Sequence, residues 1–459
     1  MASNQFGSLN DLLNSVRTGA LSRRAFMKRA AALGVSATFA GGLLDACGGS
    51  GQSGAGSSGK VTLDFWTWVP GIDKPINAFN ATHPDIHVNL ITTPTGPNGM
   101  YTKLLTAIKA NNPPDLAQIE FDVLPQFETT GGLLDMAPYG ASSHKSKFLP
   151  WAWNQCVQGS AVYAIPQAGG PMGLYYRKDI FSQYNISVPT TWDEFATAAA
   201  KLHQANPNAY IVDFPPKNLG WFTALCWQAG ARWFGTQGQS WVVSINGPES
   251  KMVADYWQKL IDQKLVKTEA DFTTAFYQDL ASGTIATWPG AQWCNAILES
   301  EAPKASGKWG ITPMPEWQAG KPVNANWGGS TTAALKATKH PQQATTFALW
   351  LNESVQSWQA GMYVGAGWPV AYDALNISQL QQPDSYFNNQ NPNTVFATGN
   401  SQINENWVWG PTMLQVTNDG GDAIAAAVAG QGTISSALDQ LQAKTVASLK
   451  QQGFNVASA

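Results

Sequence analysis

Val61-Thr62-Leu63-Asp64-Phe65-Trp66 alternates apolar and polar residues, the period of a strand with one buried face. Working outward, Asp73 to Thr82 reads as a helix that stops before Pro84. Ile86 to Thr92 is alternating and β-branched, a second strand. Met100 to Asn111 carries Leu104, Leu105 and Ile108 at helical spacing until Pro113-Pro114 ends it. Asp115 to Ile119 reads as a third strand. Asp122 then stands where it can cap a helix from Val123 to Thr129, closed by Gly131-Gly132. Strand and helix thus alternate three times, the pattern of a parallel sheet wrapped by helices in an α/β protein. Ligands of such sheets bind beyond the C-terminal strand ends. Those ends are Trp66 to Trp68, Thr92 to Thr95 and Glu120 to Asp122.

Beyond this unit, Ala161 to Ile165 and Gly173 to Tyr176 read as strands. They flank Pro166-Gln167-Ala168-Gly169-Gly170-Pro171, a loop suited to a hinge or to close ligand approach. Thr191-Trp192-Asp193-Glu194 opens a helix to His203 as a capping box. Ala209 to Phe214 reads as a strand and Leu219 to Ala229 as a helix. Helices are expected at Ser250 to Leu260, Ala270 to Ala281 and Gly290 to Ser300, with a short strand at Thr284 to Trp288. Trp309 to Thr312 and Thr331 to Leu335 read as strands, and a helix runs from His340-Pro341 to Ser357. Two helices end the chain, near Asp422 to Ala429 and Ser435 to Lys450. There is no internal repeat.

The N-terminus reads as an address. Ser22-Arg23-Arg24-Ala25-Phe26 precedes an uncharged run, Ala30 to Leu44, then Leu44-Asp45-Ala46-Cys47 and a Gly/Ser tract to Gly59. Paired arginines before an apolar run are the form of a twin-arginine export signal. The run is about 15 residues, short of the roughly 20 that span a bilayer. Cys47 after a small residue resembles the lipobox of bacterial lipoproteins, whose cysteine becomes the lipid-modified first residue. Residues 1–46 are therefore expected to be a lipoprotein signal peptide and 47–59 a linker. The mature protein would be exported and held by lipid on the outer face of the cell membrane.

The chain has 27 basic and 30 acidic residues. The signal peptide removes Arg17, Arg23, Arg24, Lys28, Arg29, Asp11 and Asp45, leaving a net charge of −6. That argues against a nucleic-acid partner. Only Arg177 and Arg232 remain as arginines, so an anionic ligand lacks its usual fork. All 20 tryptophans follow Cys47. Indole faces beside neutral amides and hydroxyls suit a neutral polyhydroxylated ligand. A mature chain of roughly 400 residues exceeds one core and points to two domains. Cys156, Cys226 and Cys294 offer either one bridge or three buried thiols. The five histidines lack metal-ligand spacing. No metal and no cofactor is expected.

Several segments together resemble the extracellular solute-binding proteins of bacterial carbohydrate ABC transporters, the maltose-binding-protein-like family 1. They are Val61 to Trp68; Pro114-Asp115-Leu116-Ala117-Gln118-Ile119 with Gly132-Leu133-Leu134-Asp135; and Tyr163-Ala164-Ile165-Pro166. Gly173 to Phe181 and Val188 to Phe195 are the most specific. Ile285 to Trp293, Trp309 to Pro315, Trp327-Gly328-Gly329-Ser330, Pro341 to Leu351 and Gly367-Trp368-Pro369-Val370 follow in family order. The resemblance covers nearly all of residues 60–450. It implies a two-lobed periplasmic-binding-protein fold with chain crossovers at a hinge. Lobe 1 would take 60–168 and 330–368, and lobe 2 would take 169–329 and 369–459.

The resemblance further implies a monomer that binds a neutral mono- or oligosaccharide, has no catalytic residue, and partners with permease subunits. Ligand contacts would come from Trp68, Glu120, Asp122, Gln167, Trp221, Trp288, Trp293, Trp327, Trp368, Trp407 and Trp409. One of Trp407 and Trp409 should face the cleft and the other the body. Trp192, Trp257 and Trp350 lie within helices and read as core, while Trp151 and Trp153 stay open. Two other readings stand beside this one. A glycoside hydrolase would need a second carboxylate across the cleft, with Asp213, Glu299 or Glu405 as candidates. A binder of another solute, such as a polyamine or phosphate ester, would show no response to sugars.

Overall fold

The computed structural model describes residues 60–457. The readings placed on Arg23, Arg24, Cys47 and the linker lie outside the described residues. Thirteen strands occur among those described. They are β1 (Val61–Thr67), β2 (Ile86–Thr92), β3 (Leu116–Glu120), β4 (Val157–Gln158), β5 (Ala161–Val162), β6 (Ile165–Gly169), β7 (Met172–Arg177), β8 (Phe234–Gln237), β9 (Ser240–Val243), β10 (Thr287–Ala291), β11 (Trp309–Thr312), β12 (Ser330–Ala334) and β13 (Trp368–Pro369).

Six of them form one sheet in the order β13-β6-β12-β3-β1-β2. β1 runs parallel to both β2 and β3, as the alternating segments require. β12 then inserts antiparallel between β3 and β6. A second sheet has the order β10-β7-β11. The chain leaves the first sheet at Gly169, spans Gly170-Pro171, and enters the second at Met172. It returns through Trp327-Gly328-Gly329 into β12.

Each sheet is covered by aromatic-rich helices. Phe79 of the helix Asp73–Thr82 packs edge-on against Phe347 of the helix Pro341–Glu353 at 5.0 Å, and Phe347 meets Phe65 of β1 at 5.5 Å. Such pairs add about 1 kcal/mol each beyond area burial. Around the second sheet Trp192, Trp221, Trp257 and Phe214 form a dry cluster. Trp192 and Trp257 are core residues, as expected, and so are Trp151 and Trp153; Trp350 is half-buried. Cys156, Cys226 and Cys294 are free and buried.

Several local expectations change; among them, the helix expected near Asp422 to Ala429 spans Met413–Val428. The loop expected at 166–171 is mostly strand, because β12 and β13 supply backbone partners on both sides of β6. The helix expected from Gly290 begins at Cys294, and Pro289-Gly290 belong to β10. Proline fits there because β10 is an edge strand. Ala209 to Phe214 makes only single bridges, at Tyr210 and Asp213, and no strand.

The crossings are closely packed backbone. A Cβ on Gly170 would stand 2.0 Å from the carbonyl oxygen of Trp327. Gly329 has φ +92, and its Cβ would meet the Ala168 carbonyl at 2.7 Å. Gly170→Ala is therefore expected to lose about 2 kcal/mol in urea unfolding. Gly235→Ala, where nothing lies within 4 Å, should stay within about 0.5 kcal/mol of the parent. Equal midpoints for the two variants would refute the tight crossing.

Candidate functional site

The C-terminal ends of β1 and β3 bring Trp68, Glu120 and Asp122 to one rim. Tyr101 holds the group together. Its hydroxyl donates to Glu120 Oε2 at 2.7 Å, and its ring meets Trp68 edge-on at 5.9 Å. Below the rim Thr67 donates to Gln118 Oε1, and Gln118 Nε2 donates to Ser330 Oγ at 2.9 Å, so β1, β3 and β12 are tied side chain to side chain.

Among the described residues no cation acts on the two carboxyls. Arg177 is spent on Asp179, with Nε to Oδ1 at 2.8 Å and Nη2 to Oδ2 at 2.7 Å, and Arg232 is exposed. Burial, and then the charge of Asp122, pushes Glu120 up to about 8. Burial pushes Asp122 up to about 6, against backbone amides that hold it down. Asp122 Oδ1 is buried without a partner. Nor does Asp122 cap the following helix, which spans Leu124–Thr129 and starts without a side-chain cap. The rim presents two desolvated carboxyls, of which Asp122 Oδ1 lacks a partner.

The second group is aromatic. Trp293 and Trp327 touch at 4.7 Å, and Trp293 Nε1 donates to the Trp327 carbonyl at 2.9 Å. Phe272 lies about 6 Å from Trp288, Trp293 and Trp327 alike, at 6.2, 6.1 and 6.1 Å. It is 39% exposed and sits at φ +55, in the left-handed region that a bulky residue rarely adopts. The two groups adjoin through the crossing: Trp327 belongs to the aromatic cluster, and two residues later the Gly329 carbonyl accepts from Phe121 N, between Glu120 and Asp122.

The remaining candidates sit behind or beside this surface. Gln167, expected in a loop, is fully buried within β6, with Nε2 to Thr332 Oγ1 at 3.4 Å and Oε1 unpartnered. Trp221, expected as a platform, is 1% exposed; its Nε1 donates to the Pro289 carbonyl at 2.8 Å, which supports β10 from the core side. Trp368 is buried in β13 against Phe396. Trp407 and Trp409 do not alternate, because that segment is not a strand. Both are buried and pack on Trp227, and Trp409 Nε1 donates to Gln155 Oε1 at 2.7 Å. Sequence reasoning missed Tyr101 and Phe272. Tyr101 lies on the buried face of its helix, where a hydroxyl needs a partner; nothing in the sequence marks Phe272.

A family model described as bacterial extracellular solute-binding protein matches residues 66–357. The chain is similar to an arabinooligosaccharide-binding protein of Halalkalibacterium halodurans, 24% identical over 345 residues, 72% of this chain and 76% of the relative. It is similar to a diacetylchitobiose binding protein of Streptomyces coelicolor, 24% identical, covering 70% and 76%. Among solved structures it resembles the galacto-N-biose-/lacto-N-biose I-binding protein of the ABC transporter from Bifidobacterium longum, in complex with lacto-N-biose. There the TM-score is 0.79 and the identity 27%, over 88% of this chain and 100% of that one. The likeness gives the two-lobed α/β binding-protein fold expected from the sequence.

Glu120 yields a pH test. Its pKa rises from 4.5 to about 8 on folding, so the folded state keeps a proton that the unfolded chain gives up. That contribution to stability is full below about pH 4.5 and is lost as pH climbs towards 8. Thermal unfolding of the sugar-free protein should show stability falling across that window. Glu120→Gln should flatten the fall by on the order of 1 kcal/mol; an unchanged slope would contradict a proton-holding Glu120.

Proposed function

The chain belongs to the bacterial extracellular solute-binding proteins, and we propose that it captures a neutral sugar, an oligosaccharide, and delivers it to the permease of an ABC transporter. The observation that carries this is the junction of two chemistries at the crossing. Glu120 and Asp122 offer carboxyl oxygens to sugar hydroxyls with no cation competing among the described residues, and Phe272 and the half-buried Trp293, packed on the buried Trp327, offer aromatic surface to C–H faces of a ring. Trp68 and Trp288 flank this junction, while Gln167, Trp221 and Trp368 support it from within. The relatives named above are binding proteins for oligosaccharides or disaccharides, and an exposed Phe272 in a strained backbone suits a residue that meets a ligand.

Residues 60–168 with 330–368 form one lobe in this reading, and 169–329 with 369–459 the other. Closure about the glycine crossings is a hinge motion. A sugar that touches both lobes binds the closed state better and shifts the population towards it. The protein acts without catalysis. Glu120 and Asp122 leave the same strand end and cannot flank a glycosidic bond as an acid and its partner. Of the carboxylates considered as partners, Asp213 is buried and accepts from Glu269 N at 2.9 Å, and Glu299 and Glu405 are exposed. The twin arginines Arg23 and Arg24 direct export, and Cys47 carries the lipid that holds a monomer near its permease.

Intrinsic tryptophan fluorescence should respond saturably to oligosaccharides of two to five units. Trp327→Ala should weaken binding at least tenfold, which is about 1.4 kcal/mol. Release of reducing ends from those sugars, lost on mutating Glu120, would overturn the binder reading, as would a response to polyamines but to no sugar. Cys47→Ala should move the protein from the membrane fraction to the medium or periplasm with its sugar affinity intact; membrane retention would refute the lipid anchor.

A further inference from the structure

A cavity of about 400 Å³ lies along the helix Leu124–Thr129, away from the aromatic junction. One wall comes from Pro125, Glu128 and Gln155, and the other from Trp241, Trp407 and Trp409. Its start is close to the carboxyl rim. Pro125 is in the first turn of the helix, three residues after Asp122, and Glu128 is in the last turn. Six helical residues span about 9 Å, so the helix runs like a rail from the rim to the cavity floor. Gln155 Oε1 accepts from Trp409 Nε1 at 2.7 Å and joins the two walls, and beside the cavity Gln126 Oε1 on the same helix accepts from Leu414 N at 3.2 Å.

The lining chemistry is one-sided. Among the described residues no lysine, arginine or histidine lines the cavity. Glu128 has no ion-pair partner among the described residues, and burial holds it up at about 7. Trp407 is 3% exposed, and its Nε1 is a donor without an acceptor. Indole surface, one unpaired carboxyl and several neutral amides repeat the chemistry of the junction between Glu120 and Trp327. They do so at a separate place, with residues that the junction does not use. An inorganic cation has only one carboxylate to hold it here, and an anion has no counter-charge. A neutral ring with hydroxyls donates to Glu128 and covers indole.

We propose that this cavity is a second ring subsite, so that the captured solute is an oligosaccharide long enough to run from the Glu120–Asp122 rim along the helix Leu124–Thr129 to Glu128 and Trp241. The inference rests on the carbohydrate reading above and adds chain length to it. The walls come from segments 125–159 and 236–241 with 407–409, which the lobe assignment places on opposite sides. Filling the cavity then rewards closure at a point remote from the crossing, and a longer sugar binds the closed form better than a disaccharide does.

The test is a length series read by calorimetry on the mature protein: malto-, cello-, chito- and arabino-oligosaccharides of two to five units. In the series that binds, affinity should rise tenfold or more beyond the disaccharide and then level off. Trp241→Ala and Glu128→Gln should each abolish that rise while leaving the disaccharide affinity of the parent. Glu128→Gln keeps the shape of the side chain, so an unchanged melting temperature certifies its fold. A parent whose affinity ignores length would overturn the second subsite and leave the carbohydrate reading standing. So would a rise that survives both substitutions, or a loss equal at every length. A parent that binds no member of any series would overturn both.

Discussion

The arrangement depends on one close approach. The Gly170 amide donates to Asn326 Oδ1 at 2.6 Å, and Trp327 N donates back to the Gly170 carbonyl at 2.9 Å. Two crossing segments are thereby held at a separation that no side chain allows. This contact sets where Trp327 stands, and Trp327 sets Trp293 through its carbonyl. Gly329, two residues further along, takes the Phe121 amide and so fixes the carboxyl rim against the aromatic group. A site built from two sheets would otherwise need long side chains to bridge it. Here the backbone does the positioning.

The electrostatics follow from what is missing around that crossing. With Arg177 locked to Asp179 and carbonyls of the neighbouring helix end, the desolvated carboxyls at 120 and 122 have no counter-charge and lean towards their protonated forms. A shared cation would satisfy them and also close the site to neutral guests. Without one, Asp122 Oδ1 stays unpartnered. The exposed ring of Phe272, in a backbone region unfavourable to it, is the apolar counterpart of the same condition.

Much of the fold was legible because it is local. Alternation at 61–66 and 86–92 and helical spacing at 100–111 placed β1, β2 and the helix between β2 and β3 within a residue or two. The rim residues Glu120 and Asp122 followed from the rule about strand ends. What was not legible is non-local. Gln167 sits in a segment of prolines and glycines that reads as a loop, and only the later arrival of β12 and β13 makes it a strand. Trp221 and Trp293 are both tryptophans near a helix start; one supports β10 from the core and the other meets Phe272, and composition alone does not separate them. Trp407 and Trp409 failed the alternation rule because the backbone there is irregular, so a period of two has no meaning.

The insertion of β12 has a consequence for how the protein comes into being. Gln118 in β3 waits for Ser330, 212 residues later, and β6 waits for the same strand. Until residue 330 is available, β3 and β6 are bare edges of an unfinished sheet, with the whole second sheet made in between. Contacts of that span slow folding, because the loop entropy is lost before the pairing is gained. Exposed strand edges in the interval are sites for aggregation. The first-formed half of this molecule is therefore the half that finishes last. The vulnerable species is a nascent chain whose sheet still lacks its central antiparallel strand.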